Sequence, residues 1–471
     1  MSNLFGRTVI YTNAEEITSE NVLEVVQKAY NTHTTNVTQI EYLYNYYKGD
    51  QPVNTRTKEI RDDIINKIVE NRAKQIVDFK VGYQFSEAVK YISTGANEDK
   101  ATEDIATLNT WMSMEEIESK NVEVAEWQAI CGTGYKMALQ KEQIVEEGEA
   151  PFVIYVPEPA KSFVIYSSGL GHKPMAGVYF VTNDENETIY SVYTETEFFK
   201  LLNFDKIEER GVNGLGRIPI IEYPANSARL GAFEPVLDIL DALNEIDSDR
   251  VDGIEQFIQS LVIALNCEFE EGQTFSDIIK SGIVSLKSVD GMEQDIKILT
   301  EQLNQTQSQT LKDDLIDAIL QICAMPNRNG GTSTSDTGVA VVYRDGWSAA
   351  WADAKKAEMP FKKSERQFLS IILKISDEIG KLNLTQNDID IHFDRKNYEN
   401  IEVKTNVLNA LLNNPKVAPR LAFVMSDMFP DAEAAYHESL PYIEMALSAN
   451  ADANNEAEKP LESNAPTERT E

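Results

Sequence analysis

The sequence predicts an α+β protein built around three long helices. Apolar residues recur at helical spacing over 231–265, 305–325 and 339–379. Residues 151–223 alternate instead in short apolar runs separated by turn residues, the pattern of antiparallel strands. A small alternating insert, 266–300, stands between the first two of these helices. With 471 residues, the chain has room for roughly two to four domains.

Composition narrows the function classes. Hydrophobic residues make up 42% of the chain, enough for real cores, and the formal net charge is −34. So acidic a chain is unsuited to wrapping nucleic acid, which needs Lys and Arg to displace counterions from phosphates. Cys131, Cys267 and Cys323 are isolated and odd in number, without the spacing of a disulfide framework or a metal site, as expected of a reducing cytosol. The N-terminal stretch lacks an apolar signal core, and no run approaches the ~18 apolar residues of a membrane span, so no transmembrane segment is expected.

Taken in order, residues 15–48 read as two helices. Thr18 and Ser19 are available as N-caps, and the aromatic run Tyr42, Tyr44, Tyr46, Tyr47 is closed by Lys48-Gly49-Asp50. Interleaved Tyr and Lys suits a nucleic-acid platform, but tyrosines packed on a sheet are the expectation. Residues 58–80 read as a helix ended by Gly82, Tyr83–Tyr91 as a strand, and 100–130 as helical through Trp111 and Trp127. Cys131-Gly132-Thr133-Gly134 turns the chain into a strand, Tyr135–Gln140; without a third glycine, a Lys and a following helix it is a plain turn, not a phosphate cradle. Candidate strands follow at Phe152–Val156, Phe163–Tyr166, Ala176–Thr182, Thr188–Thr194 and Ile218–Tyr223. Beyond the first long helix, strands are expected at Gly282–Lys287 and Asp295–Thr300 and a short helix near Phe275–Lys280. Pro326 to Gly338 is too rich in Gly, Ser, Thr and Asn for regular structure. Pro360 should kink the 339–379 helix. A strand at Asp390–Asp394 and helices at 402–414 and 417–448 follow, and 449–471 is expected to be a disordered acidic tail.

The 231–265 helix carries the most informative pattern. Val236, Leu240, Leu243, Ile254, Phe257, Leu261 and Leu265 form an apolar side. Asp238, Asp241, Glu245, Asp249, Asp252 and Glu255 step by three or four along another side. Like charges at that spacing repel, so the stripe should face water. It is either an ordinary solvated face or the wall of an aqueous tunnel through which something anionic slides without sticking.

Chemistry of other kinds finds little support. His33, His172, His392 and His437 have no partners at metal-ligand or triad spacing, and no Walker loop is present. No cofactor and no catalytic residue is expected, and a metal-dependent enzyme acting on nucleic acid is the remote alternative.

Three groups of residues, in this order, resemble a known family. They are Tyr46-Tyr47-Lys48-Gly49 with Ile65–Val69 and Ile76–Tyr83; Gly216–Asn226 with Phe233-Glu234-Pro235 and Ser248–Phe257; and Ser333–Ala340 leading into a long helix. Together they resemble the phage portal proteins, specifically the siphophage portals from Gram-positive hosts (SPP1-type portals). The resemblance implies a portal fold with helical stem, α/β clip, α+β wing with a long kinked helix, and helical crown. On that basis 1–230 and 339–399 correspond to the wing, 231–265 and 305–325 to the stem helices, 266–304 to the clip, 326–338 to the tunnel loop and 400–448 to the crown. It further implies a homo-oligomeric ring of about twelve subunits at one vertex of the virion capsid, assembled in the host cytoplasm. Double-stranded DNA would pass through it in packaging and ejection. Terminase large subunit, scaffolding and major capsid proteins and a head–tail adaptor are the implied partners, and no membrane is involved. The six carboxylates would line the channel. Arg328, Asn329, Gly330, Gly331, Thr332, Ser333, Gly338 and Arg344 would serve the tunnel loop, its glycines giving the freedom to deform and its two arginines placed either to touch phosphate or to pair with Asp336 and Asp345. Another minor capsid or connector protein is the alternative, though it would not need this order of parts.

Overall fold

A computed structural model describes residues 6–59, 62–94, 100–141, 148–258, 305–327, 346–379, 382–393 and 401–426, with short strands between 261 and 299 and parts of 428–445. The expected helix near 275–280, the tunnel-loop residues Arg328, Asn329, Gly330, Gly331, Thr332, Ser333 and Gly338, Arg344, and the tail 449–471 lie outside the described residues. The fold is α+β, as predicted. Its N-terminal part contains a six-stranded sheet ordered β1 (Ile10–Thr12), β5 (Ser162–Ser167), β6 (Pro174–Thr182), β7 (Thr188–Tyr193), β8 (Glu197–Leu202) and β9 (Lys206–Val212). Only β1 pairs in parallel. The sequence reading anticipated β5, β6 and β7 and missed β1, β8 and β9. β9 alternates poorly because it is an exposed, charged edge, KIEERGV, which resists pairing with another chain.

The two helices expected over 15–48 are one, α1 (Val22–Lys48). Its buried positions, Val22, Val26, Ala29, His33, Asn36, Ile40, Leu43 and Tyr46, keep one helical stripe throughout. They serve two different cores. The first half packs on the six-stranded sheet with Phe163, Ile165, Val178 and Phe199. The second half packs against helices, with Ile76, Val77, Ala125, Phe233 and Leu240. Polar His33 and Asn36 sit at the changeover, which made the stripe look interrupted. Asn21, not Thr18 or Ser19, is the residue before the helix, while the Thr18 carbonyl accepts from the amides of Asn21 and Val22. Gly49 ends it in the left-handed conformation, as expected.

The tyrosines do not pack on a sheet. Tyr46 is buried and stacks on Phe233, just before α5 (Leu237–Ile258), at 5.8 Å, and Tyr44 packs against Trp127 of a helix at 5.1 Å. Helix α2 (Arg72–Gln84) begins fourteen residues later than expected and runs through Gly82, and the strand β2 is shorter (Val89–Ser93). Helices α3 (Lys100–Met114) and α4 (Ile117–Cys131) break at Glu116, which has positive φ. The predicted turn then leads into β3 (Thr133–Gln140).

β3 lies between β10 (Ile220–Pro224) and β4 (Phe152–Tyr155) in a three-stranded sheet. Under it runs the longest helix, α7 (Trp347–Glu378), which contains Pro360. Phe361, Phe368, Ile372 and Ile375 from α7 join Phe152, Ile154 and Tyr223 in the largest core. An ion pair sits inside this core: Lys136 of β3 and Glu365 of α7 are both fully buried, with Nζ 2.7 Å from Oε2. Tyr91 and Tyr223 also donate to Glu365, at 2.6 and 2.7 Å. Lys136 donates to Asn121 as well and lies over the rings of Tyr223, Phe361 and Phe368. β2 pairs antiparallel with β15 (Ile389–Phe393), where His392 occupies a half-exposed strand position. Helices α8 (Ile401–Leu412) and α9 (Pro419–Ser426) follow. The helix predicted over 417–448 is thus interrupted: 428–429 are not helical and 435–443 are.

Candidate functional site

The acidic helix is α5, which spans Leu237–Ile258 rather than 231–265. Before it, Glu234-Pro235-Val236 forms a single tight turn. After it, Leu261–Leu265 is a strand, β11, paired antiparallel with β14 (Asp295–Leu299). The apolar run of 261–265, LVIAL, fits helix and strand equally by periodicity; the pairing partner decides. A second pair, β12 (Cys267–Phe269) with β13 (Leu286–Ser288), forms a separate two-stranded sheet. Val236, Leu240 and Leu243 are buried as expected, whereas Ile254 is exposed. The returning helix, α6, spans Gln305–Ile322 and packs on α5.

The start of α5 is pinned. Glu234 is buried against Arg7 at 2.5 Å and also accepts from the amides of Gly6 and Gly231, at 3.2 and 2.9 Å. The chain crosses itself closely here: a Cβ on Gly132 would come within 1.9 Å of the Arg229 carbonyl oxygen, and Gly132 has φ +79°. Alongside, the buried carboxylate of Glu222 on β10 takes two bonds from Arg229, at 2.6 and 2.9 Å, and one from Tyr166 at 2.7 Å. Burial alone would raise its pKa; Arg229 and the hydroxyls hold it below the usual carboxylate range.

The six carboxylates do not share one environment, which corrects the expectation that the whole stripe faces water. Asp238, Glu245, Asp249 and Glu255 are exposed. Asp241 is half-buried and accepts from the Tyr46 hydroxyl at 2.8 Å; burial raises its pKa, and the tyrosine opposes that. Asp252 is buried at 3% exposure and therefore lines no open surface in this chain. Its Oδ1 accepts from the backbone and side-chain nitrogens of Asn66, at 2.7 and 2.9 Å, and Lys58 and Arg56 pair with its Oδ2. Burial would raise the Asp252 pKa, but Lys58 and the two Asn66 donors hold it low. Arg56 also pairs with Asp249.

These contacts belong to a longer ladder. Residues 65–71 are not the predicted helix; they run non-helically along α5. The amide of Asn66 donates to Asp252, that of Ile68 to Ser248 Oγ at 3.0 Å and that of Glu70 to Asn244 Oδ1 at 2.9 Å. Alternate amides of an extended chain are about 6.6–6.8 Å apart, and successive acceptors four residues apart on a helix about 6 Å, so the two repeats run nearly in step. Asn244 also donates to Gln51 Oε1 at 2.5 Å. The other end of the segment is closed by Lys312 of α6, whose Nζ is 2.7 Å from Asp247 and 3.0 Å from Glu70. One lysine thus joins α5, α6 and the segment before α2.

Arg56, Lys58, Asn66, Asn244, Ser248 and Lys312 were missed from sequence. The one signal available was the four-residue spacing of Asn244, Ser248 and Asp252. At about 100° per residue they span about 80° of the helix, beside the arc that holds Asp238, Glu245 and Asp249. Small polar residues in register with apolar ones mark a face that accepts hydrogen bonds rather than one that faces water.

Among the described residues, no group of three or more His, Cys, Asp or Glu is arranged to hold a metal ion, and no helix is long and apolar enough to cross a membrane. Compared with known families, residues 27–435 match the one described as phage portal protein, SPP1 Gp6-like. No curated protein matches the sequence.

Proposed function

The chain belongs to the family of SPP1 Gp6-like phage portal proteins, and from this premise we propose that it forms the ring at one vertex of the capsid through which double-stranded DNA is packaged and ejected. Membership of this family supports a structural role in the virion, as an oligomeric ring associated with capsid and terminase. The finer reading is a ring of about twelve copies, assembled in the host cytoplasm, that docks terminase large subunit during packaging and a head–tail adaptor afterwards. Residues 237–258 and 305–322 serve as stem helices, 261–304 as clip, and the helices after 400 as crown.

The observation that supports the channel reading best is the arc of exposed carboxylates on α5. A DNA duplex carries one phosphate charge per ~1.7 Å of axis, and a wall that bound them would stall it. Asp238, Glu245, Asp249 and Glu255 repel phosphate and keep water between wall and duplex. Residues 326–338 serve as the tunnel loop in this reading, and Arg328 and Arg344 are the candidate phosphate contacts beside it. Electron microscopy with light-scattering mass tests the ring: closed rings of ten to fourteen copies with a hole admitting a duplex about 20 Å wide are expected. A stable dimer or tetramer under all conditions contradicts it. Shortening 329–337 should leave rings intact and impair packaging, and normal packaging without that loop refutes its role.

A further inference from the structure

We propose that residues 51–59 and 62–71 form a strap that sets the effective charge of the acidic face of α5, and that Arg56 is the residue through which it does so. The inference rests on the channel reading above. Arg56 touches no DNA in this scheme; it is a positioning residue that acts through Asp249 and Asp252.

The strap has two kinds of attachment. Its C-terminal half is held by the amides of Asn66, Ile68 and Glu70 on Asp252, Ser248 and Asn244, bonds that salt screens little. Its N-terminal half is ionic. Arg56 spans Asp249, which is 64% exposed, and Asp252, which Lys58 also pairs. Nη1 of Arg56 further reaches the Asn66 carbonyl at 3.4 Å, which ties the two halves together. The strap therefore removes Asp252 from the accessible face and sets a cation, Arg56, against Asp249. Asp238, Glu245 and Glu255, which have no ion pair among the described residues, remain as uncompensated wall charges. A channel for DNA needs repulsion strong enough to prevent adhesion and weak enough to admit the polyanion. The strap tunes that balance, because each copy in a ring repeats the same charge.

Two measurements on the full-length chain test it. The first is amide hydrogen exchange at single-residue resolution. In the wild-type chain the amides of Asn66, Ile68 and Glu70 exchange at least tenfold more slowly than those of Lys67 and Val69, and Ser248→Ala removes the difference at Ile68. Uniform exchange across 66–70, or unchanged protection of Ile68 in Ser248→Ala, overturns the strap. The second is DNA packaging by particles with Arg56→Gln, normalised to wild type at each salt concentration. Packaging falls severalfold at low salt and returns to within twofold of wild type as salt screens the unmasked carboxylates, while Arg56→Lys packages normally throughout. A merely structural loosening has the opposite sign, since salt weakens the remaining ionic contacts. A deficit that persists or deepens with salt, or no deficit at all, therefore overturns the role of Arg56. Wild-type rings that show the exchange pattern but pass no DNA would refute the channel reading and leave the strap standing.

Discussion

Replacing Lys136 by Met tests whether the buried ion pair is what joins α7 to the three-stranded sheet. Methionine nearly matches the lysine stem in volume, so packing against Tyr223, Phe361 and Phe368 is retained and only the ammonium is lost. Glu365 then keeps its charge with no exposure to water and with two tyrosine donors in place of three partners. Removing one member of a buried pair costs about 3–5 kcal/mol. The two hydroxyls at 2.6 and 2.7 Å recover part of this, so we expect about 3 kcal/mol. Lys136→Met with Glu365→Gln should cost less than Lys136→Met alone, because the amide oxygen still accepts from a tyrosine and no charge remains. Urea unfolding followed by far-UV circular dichroism, with stability read from the transition that includes this core, measures both variants. A loss below about 1 kcal/mol in Lys136→Met, or strictly additive losses in the double variant, refutes the reasoning. The burial that penalises the charge is visible in Lys136 itself, whose pKa burial pushes below the usual lysine range against the pull of Glu365.

Two other perturbations follow from buried groups. His33 donates from Nε2 to the Ala160 carbonyl, 3.1 Å away, and burial lowers its pKa from 6.5 to about 4. Its folded value lies below its unfolded one, so stability is unaffected above pH 6.5 and falls as pH drops from there to about 4, by roughly 3 kcal/mol in all; His33→Gln should flatten the stability curve in that window, and an unchanged slope in urea melts contradicts the assignment. Gly132→Ala places a methyl within 1.9 Å of a backbone oxygen at φ +79°, a double strain that should cost at least about 1–3 kcal/mol; a thermal midpoint equal to wild type would show that residues 129–132 and 229–232 are not held as closely as described.

Much of the fold was legible because it rests on local pattern. The helical character of 100–131, though not its break at Glu116, the hairpins of β5 to β7, and α6 and α7 could each be read from the sequence. The turn at 183–186 is an example: Asn183 caps it by accepting from the amides of Glu185 and Glu187, and Asn186 takes positive φ. Where the reading failed, a distant segment supplied the partner. Residues 58–71 have helical spacing of Ile64, Ile65, Ile68 and Val69, yet 65–71 lie non-helically because α5 presents acceptors to their amides. The candidate site divides the same way. The acidic stripe could be seen; that Asp252 is inside and Asp241 belongs to Tyr46 could not, since both partners are about two hundred residues away.

By itself the sequence determined the α+β class, the order of long helices with an insert between them, the acidic face of α5, and membership of the portal family. These depend on composition, period and co-linear motifs, all properties of neighbours along the chain. Only the tertiary structure decided where α5 stops, that α1 is one helix bridging two cores, and which carboxylates remain in water. The physical reason is common to all three. Periodicity states which side of an element is apolar or charged, but whether a strand partner, a second core or a strap of backbone amides covers that side depends on residues brought together from far along the chain.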